Sequence, residues 1–313
     1  MNTKPSILTK PVVVALLAIF STFLWGSAYP AIKIGYELFH VGSDDTAAKM
    51  AYAGLRFTLG GLLVLVIRPL MGGSLEGIRT LKKRHWKQIL ILALVQTTIH
   101  YTVFYIGLSY TTGSKGAIIN ASAVFFSALL AHFFYADDKI NLRKGIGLVL
   151  GFSAVIFVNL DGDFNFSFLI QGEGFILLAA LLHSSSGLYA KHIVKEVDPV
   201  LLTALQLGIG GLVLLVIGFL MGASFPTSDF NGYMLMLYLA ALSAAAFSIW
   251  TSLLKYNKIS SITIYSSLIP VFGAILSAIF LKESIAGVQL IGAMIAVALG
   301  VVLVTYSSSK TPV

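Results

Sequence analysis

The sequence predicts an all-α membrane protein: ten transmembrane helices forming a 5+5 inverted-topology repeat, with both termini cytoplasmic. Three observations predict it. The 313-residue chain is 57% hydrophobic and only 11% charged, with a mean hydropathy of +0.90, which is more apolar surface than a water-soluble domain can hide. Apolar stretches of spanning length recur from end to end with short polar links between them. The basic residues fall on one set of alternate links. This composition excludes a soluble enzyme, and the absence of cysteine removes disulfide and thiol chemistry.

The first apolar run, residues 12–35, is too long for a signal-peptide core and reads as a retained membrane helix. Further runs follow at 48–71, 86–110, 113–135, 142–160, 172–191, 199–221, 232–256, 259–281 and 285–306. Each crossing takes about 20 apolar residues, so every run is one span. Gly42-Ser43-Asp44-Asp45, Asp161-Gly162-Asp163 and Phe225-Pro226-Thr227 punctuate the links. With a cytoplasmic amino terminus, the inner side gathers Lys4, Lys10, Arg68, Arg79, Lys82, Lys83, Arg84 and Lys87 from the first links alone, whereas the outer side keeps Lys49, Lys115 and Lys282. That asymmetry is the positive-inside pattern. It accounts for the net charge of +8 and the pI of about 9.5 without a nucleic-acid partner. The run Lys82-Lys83-Arg84 reads instead as a contact for lipid headgroups. The expected setting is the inner membrane, with the bilayer and a small-molecule substrate as partners; the oligomeric state is left open.

An internal repeat underlies the pattern. Leu55-Arg56-Phe57-Thr58-Leu59-Gly60-Gly61-Leu62 in the second span aligns with Leu205-Gln206-Leu207-Gly208-Ile209-Gly210-Gly211-Leu212 in the seventh. Leu65-Val66-Ile67 then falls on Leu215-Val216-Ile217. The first and sixth spans align through Trp25 over His183 and Lys33 over Lys191, and the fourth and ninth through Phe134 to Asp138 over Ile279 to Glu283. The chain therefore divides into repeats over 1–165 and 166–313. Five is odd, so equivalent helices cross in opposite directions, the geometry from which carriers build alternating access. Small residues at Gly147, Gly151, Ala296 and Gly300 are expected to bring helices close.

Candidate site residues follow from depth and polarity. An ionisable group at a helix centre costs about 2.5 to 3.5 kcal/mol on insertion scales, so each calls for a partner or a wet cavity. The acids, such as Glu37, Asp44, Asp137, Asp161, Glu173 and Glu283, sit at helix ends and in loops. Arg56 lies roughly 12 Å into the second span, where it either binds a substrate carboxylate, or reaches polar backbone at a helix end or snorkels outward. Lys33, with Glu37 one turn on, reads as an interfacial pair or an outer gate. Trp25, with Tyr29 one turn on, and His183, beside the Ser184-Ser185-Ser186 run, come to mid-membrane from the two halves. Gln96, His100 and Tyr101 form a polar stripe on the third span. Asn120, Ser186, Trp250 and Tyr265 lie at similar levels. Pro30 and Pro270 each remove a helix hydrogen bond and are candidate hinges.

These residues resemble the EamA-type transporters of the drug/metabolite transporter superfamily. The likeness rests on Leu24-Trp25-Gly26-Ser27-Ala28 running to Ile32-Lys33, on Leu55-Arg56-Phe57, and above all on Tyr265-Ser266-Ser267-Leu268-Ile269-Pro270-Val271-Phe272-Gly273-Ala274 through Phe280-Leu281-Lys282-Glu283, with Gly292 and Gly300-Val301 beyond. It spans both halves. The resemblance implies a ten-helix, two-repeat carrier with a central cavity and alternating access, acting on amino acids, related metabolites or drugs, often as an exporter. This chain departs from the pattern where His183 and its serines stand in place of tryptophan and small apolar residues.

The expected function is a secondary transporter exporting a small amphiphilic metabolite, an amino acid or a relative of one, with no cofactor, no metal and no catalytic residue. A multidrug exporter of the same fold is the alternative; one built on a membrane-embedded carboxylate is disfavoured, since no acid lies at a helix centre. An integral membrane enzyme has little support, because no His-Glu-x-x-His helix, phosphate-binding glycine loop or Ser-His-acid set is present. A passive channel lacks a visible filter or charged ring.

Overall fold

The computed structural model describes residues 6–70, 72–134, 139–158, 168–257, 259, 262, 264–282, 291–292, 295–296, 298–300 and 302–303. Among these, every regular element is helical. In chain order they are α1 (Pro11–Leu38), α2 (Thr46–Leu70), α3 (Lys83–Ser109), α4 in two pieces (Gly113–Asn120 and Ser122–Phe134), α5 (Leu142–Val158), α6 (Phe175–Ile193), α7 (Pro199–Leu220), α8 (Phe230–Tyr256) and α9 (Leu268–Leu281). Six of the described runs are long and apolar enough to cross a bilayer: α1, α2, α3, Lys115–Phe134 of α4, α7 and α8. The expected tenth span, 285–306, lies largely outside the described residues, as do Asp137, Asp138, Asp161, Asp163 and Glu283.

Local chemistry sets the helix starts. The Asp198 carboxylate accepts from the Leu201 N–H at 2.9 Å ahead of Pro199, and Asp229 accepts from Gly232 N–H at 2.8 Å. Side-chain oxygens there satisfy amides that the first helical turn leaves unbonded. The helix ends carry the repeat. Gly72 and Gly222 both adopt positive φ, at 79° and 97°, the conformation glycine supplies without strain. Gly73 N bonds Arg68 O and Gly72 N bonds Pro69 O; Ala223 N bonds Gly218 O and Gly222 N bonds Phe219 O. Both helices thus end in the same two-bond cap at equivalent positions.

α2 and α7 lie antiparallel and in close contact. A Cβ on Gly61 would stand 2.6 Å from the Gly208 Cα, one on Gly211 2.7 Å from the Phe57 carbonyl carbon, and one on Gly54 2.6 Å from the Leu215 Cα. Only bare backbone fits there, as in other close membrane-helix crossings. This is a different seam from the Gly147, Gly151, Ala296 and Gly300 positions that the sequence picks out. α3 departs from a plain helix: residues Ala93–Ile99 form a π turn. That wider turn shifts the register of everything after it by about one residue.

Candidate functional site

Between the helices lies a cavity of about 1000 Å³, the space at its mouth included. α1 supplies Trp25, Tyr29 and Ile32; α2 supplies Arg56; α3 supplies His100, Tyr101 and Phe104; α4 supplies Asn120 and Ser127. From later in the chain come His183, Ser184 and Leu188 on α6, Trp250 and Leu254 on α8, and Ile259, Ser266 and Ile269. Both parts of the aligned repeat therefore contribute walls. Among the described lining residues, no carboxylate occurs and Arg56 is the one permanent charge.

Arg56 is only 2% exposed and is held on three sides. Its Nε donates to Ser243 Oγ at 3.0 Å and to Leu239 O at 3.3 Å, and Nη1 donates to Tyr105 OH at 2.8 Å. The guanidinium also lies 4.9 Å from the centre of the Phe57 ring. Backbone and hydroxyl oxygens thus spread its charge without an acid partner among the described residues.

The aromatic residues interlock. Trp25 stands edge-on to Trp250 at 5.0 Å, to Phe247 at 5.4 Å and to His183 at 6.0 Å between ring centres. His183 in turn lies 5.5 Å from His100, so the two imidazoles meet across the cavity from α3 and α6. Tyr29 OH accepts from Asn120 Nδ2 at 3.0 Å. Tyr101 packs on Phe57 at 4.1 Å.

Three candidates stand elsewhere. Gln96 is buried but not part of the lining; its main-chain carbonyl accepts from His100 Nδ1 at 3.1 Å. Ser186 turns its hydroxyl to the His183 carbonyl at 2.9 Å. Ser184, two residues earlier, faces the cavity and bridges to Ala123 O at 2.6 Å. Tyr265 packs against the surrounding core while its neighbour Ser266 takes the lining position. Of the gate candidates, Pro30 is buried within α1, Pro270 is a helical residue of α9, and Lys33 donates to Thr111 O at 2.9 Å, tying α1 to the α3–α4 link. Phe104 was missed by sequence, although its place one turn beyond His100 was a usable signal.

One end of the cavity is shut. Tyr36, Tyr52 and Tyr105 cluster with ring centres 5.7 to 6.3 Å apart, and Tyr36 OH donates to Tyr105 O at 3.3 Å. At the same end Lys115 pairs with Glu173 at 2.8 Å, Thr111 Oγ1 donates to Glu173 at 3.3 Å, and Tyr110 OH donates to Asp44 at 3.0 Å. The lining extends the other way, to Leu188, Leu254 and Ile259 near the far ends of α6 and α8. There Arg68 pairs with Asp198 at 2.5 Å, and Glu196 meets Arg84 and, at 3.1 Å, His85.

Known proteins share this architecture. The model of the EamA-like transporter family matches residues 12–160 and again 170–306. The uncharacterized transporter YvbV of Bacillus subtilis is 28% identical over 277 residues, covering 86% of this chain and 84% of that protein. YoaV of the same organism, also an uncharacterized transporter, is 23% identical over 308 residues, covering 95% and 99%. The uncharacterized inner membrane transporter YedA of Escherichia coli is 24% identical over 308 residues, covering 96% and 93%. A crystal structure of a protein sharing 12% identity superposes with a TM-score of 0.71 over 96% of this chain and 98% of that one, a likeness of fold.

Proposed function

Because the chain belongs to the EamA-like transporter family and is a multi-pass inner-membrane protein, we propose that it is a secondary carrier that exports a small amphiphilic metabolite, an amino acid or close relative, by alternating access. The observation that carries this reading is the cavity itself: walls from both copies of the family match, an aromatic and hydroxyl lining, one fixed cation among the described lining residues, and a tyrosine cluster across one end. Aromatic faces suit an apolar body and the polar atoms suit its hydrophilic ends. Two inverted five-helix halves, both termini inside, supply the motion: rocking one bundle against the other closes the open end and parts the tyrosines. The antiparallel α2–α7 crossing and the matched caps at Gly72 and Gly222 support that symmetry.

Counterflow tests the proposal. Purified protein in liposomes preloaded with unlabelled amino acids should draw labelled amino acid transiently above its equilibrium level. A carrier does this because its site is exposed to one side at a time; a pore equilibrates without overshoot. Absence of overshoot across amino acids, nucleosides, vitamins and quaternary amines refutes the carrier reading.

A further inference from the structure

Four polar groups facing the cavity divide by chemistry. Two donors stand against α8. Trp25 Nε1 is buried with no hydrogen-bond partner, and an indole nitrogen only donates; its ring packs on Phe247 at 5.4 Å. The Arg56 guanidinium, also a pure donor, is anchored to Ser243 at 3.0 Å. Two acceptors stand on α3 and α4. Asn120 commits Nδ2 to Tyr29 OH at 3.0 Å, which leaves its buried Oδ1 unpartnered. His100 bonds through Nδ1 to the Gln96 carbonyl at 3.1 Å. A carbonyl only accepts, so Nδ1 donates, and in the neutral form of the ring Nε2 is the accepting nitrogen. Buried polar atoms without partners are uncommon in folded proteins. Two of opposite type bordering one cavity mark the places where a ligand completes the bonding.

We propose that the cavity reads its cargo by polarity: an acceptor or anionic group faces Trp25 and Arg56, and a hydrogen-bond donor faces Asn120 and His100. This rests on the carrier reading and narrows its cargo to small molecules bearing both groups on one apolar body. A site built around such bonds rejects analogues that leave its own groups unpaired.

Three probes with related branched aliphatic bodies test this on the purified full-length chain: L-leucine with both groups, 4-methylpentanoate with the acceptor alone, and 3-methylbutylamine with the donor alone. Thermal stabilisation against probe concentration gives apparent affinities. Leucine should bind at least about tenfold more tightly than either single-group probe, a difference of one unit in log affinity. Trp25→Phe should weaken leucine and 4-methylpentanoate about tenfold and leave 3-methylbutylamine unchanged. Asn120→Leu should do the reverse, and Asn120→Asp, which keeps an oxygen acceptor, should restore leucine binding. Equal losses for all three probes in Trp25→Phe and Asn120→Leu overturn the assignment, as does a wild-type protein stabilised by none of them. Counterflow of another compound in that last case leaves the carrier reading standing, so the two failures are told apart.

Discussion

Arg56 on α2 and Gln206 on α7 hold equivalent places in the aligned repeat, and both brace their helix against the opposite part of the molecule. Gln206 Nε2 donates to Thr97 on α3 at 2.6 Å, while Arg56 donates to Ser243 on α8 at 3.0 Å. Arg56 does more: it also reaches Tyr105 in the closed end and borders the cavity. The glycines five residues further on, Gly61 and Gly211, behave alike, each lying against the other helix's backbone. Trp25 and His183, again repeat mates, differ in chemistry yet face one another at 6.0 Å. Backbone packing obeys the repeat, and the side chains that meet the cavity depart from it.

The sharpest way to break that comparison is to fill the crossing. Gly61→Leu and Gly211→Leu should be equally severe, because each side chain would collide with main chain that cannot rotate away. Overpacking on this scale costs about 3 kcal/mol or more, so both variants should lose folded protein by size exclusion in detergent. Tolerance of one but not the other would show that the crossing is not symmetric. Arg56→Met and Gln206→Met come next and should differ. Losing the guanidinium strips the Tyr105 hydroxyl and Leu239 carbonyl of a charged donor, a cost of about 2 to 3 kcal/mol, and should abolish counterflow. Losing the amide should cost about 1 kcal/mol and leave counterflow measurable. Equal transport in the two variants would make Arg56 a brace and nothing more.

The sequence made most of this architecture legible, for reasons the two regions illustrate. Spans α1 to α4 and α6 to α8 begin and end within a few residues of their apolar runs, because charged and glycine-rich links leave little latitude in where a helix can stop. The alignment of 55–62 with 205–212 pointed to equivalence but not to contact. Similar sequences become neighbours only when the fold places them on a symmetry axis. Which of three consecutive serines meets the cavity is not legible in sequence, because neighbours differ by only 100° of helix rotation, and it is Ser184 that lines it. The tyrosine cluster has no local signal: Tyr36, Tyr52 and Tyr105 come from three helices, and their convergence is a tertiary fact.

A second contrast, between the two ends of the molecule, can be sharpened by charge removal. Lys115 and Glu173 join α4 to the start of α6 at the closed end. Glu173→Gln should loosen that closure by about 1 kcal/mol, a several-fold shift between states. The chain has no cysteine, so a single Ala28→Cys on the cavity wall reports access cleanly. Its labelling by a membrane-impermeant thiol reagent applied from the tyrosine-cluster side should rise several-fold in the Glu173→Gln background. Unchanged labelling would mean that the tyrosines and Arg56 hold that end shut without the ion pair.

The opposite end carries its own acid-sensitive contact. Glu196, in the link between α6 and α7, takes a hydrogen bond from the His85 ring, the largest influence on its carboxyl; slight desolvation opposes it, and the Arg84 guanidinium adds to it. The net effect holds the carboxyl below its ordinary value of 4.5. A carboxylate whose folded-state pKa is depressed stabilises the fold above its unfolded pKa and loses that contribution as pH falls through the folded value. Melting temperature should therefore be flat with respect to this group from neutral pH down to about 5 and then decline as acid is added. Glu196→Gln should lower the plateau slightly, because the side chain is half exposed and solvent screens the pair, and should shallow the acid decline. An acid limb of identical slope in both proteins would show that the His85–Arg84–Glu196 contact contributes nothing to holding α3 against the α6–α7 link.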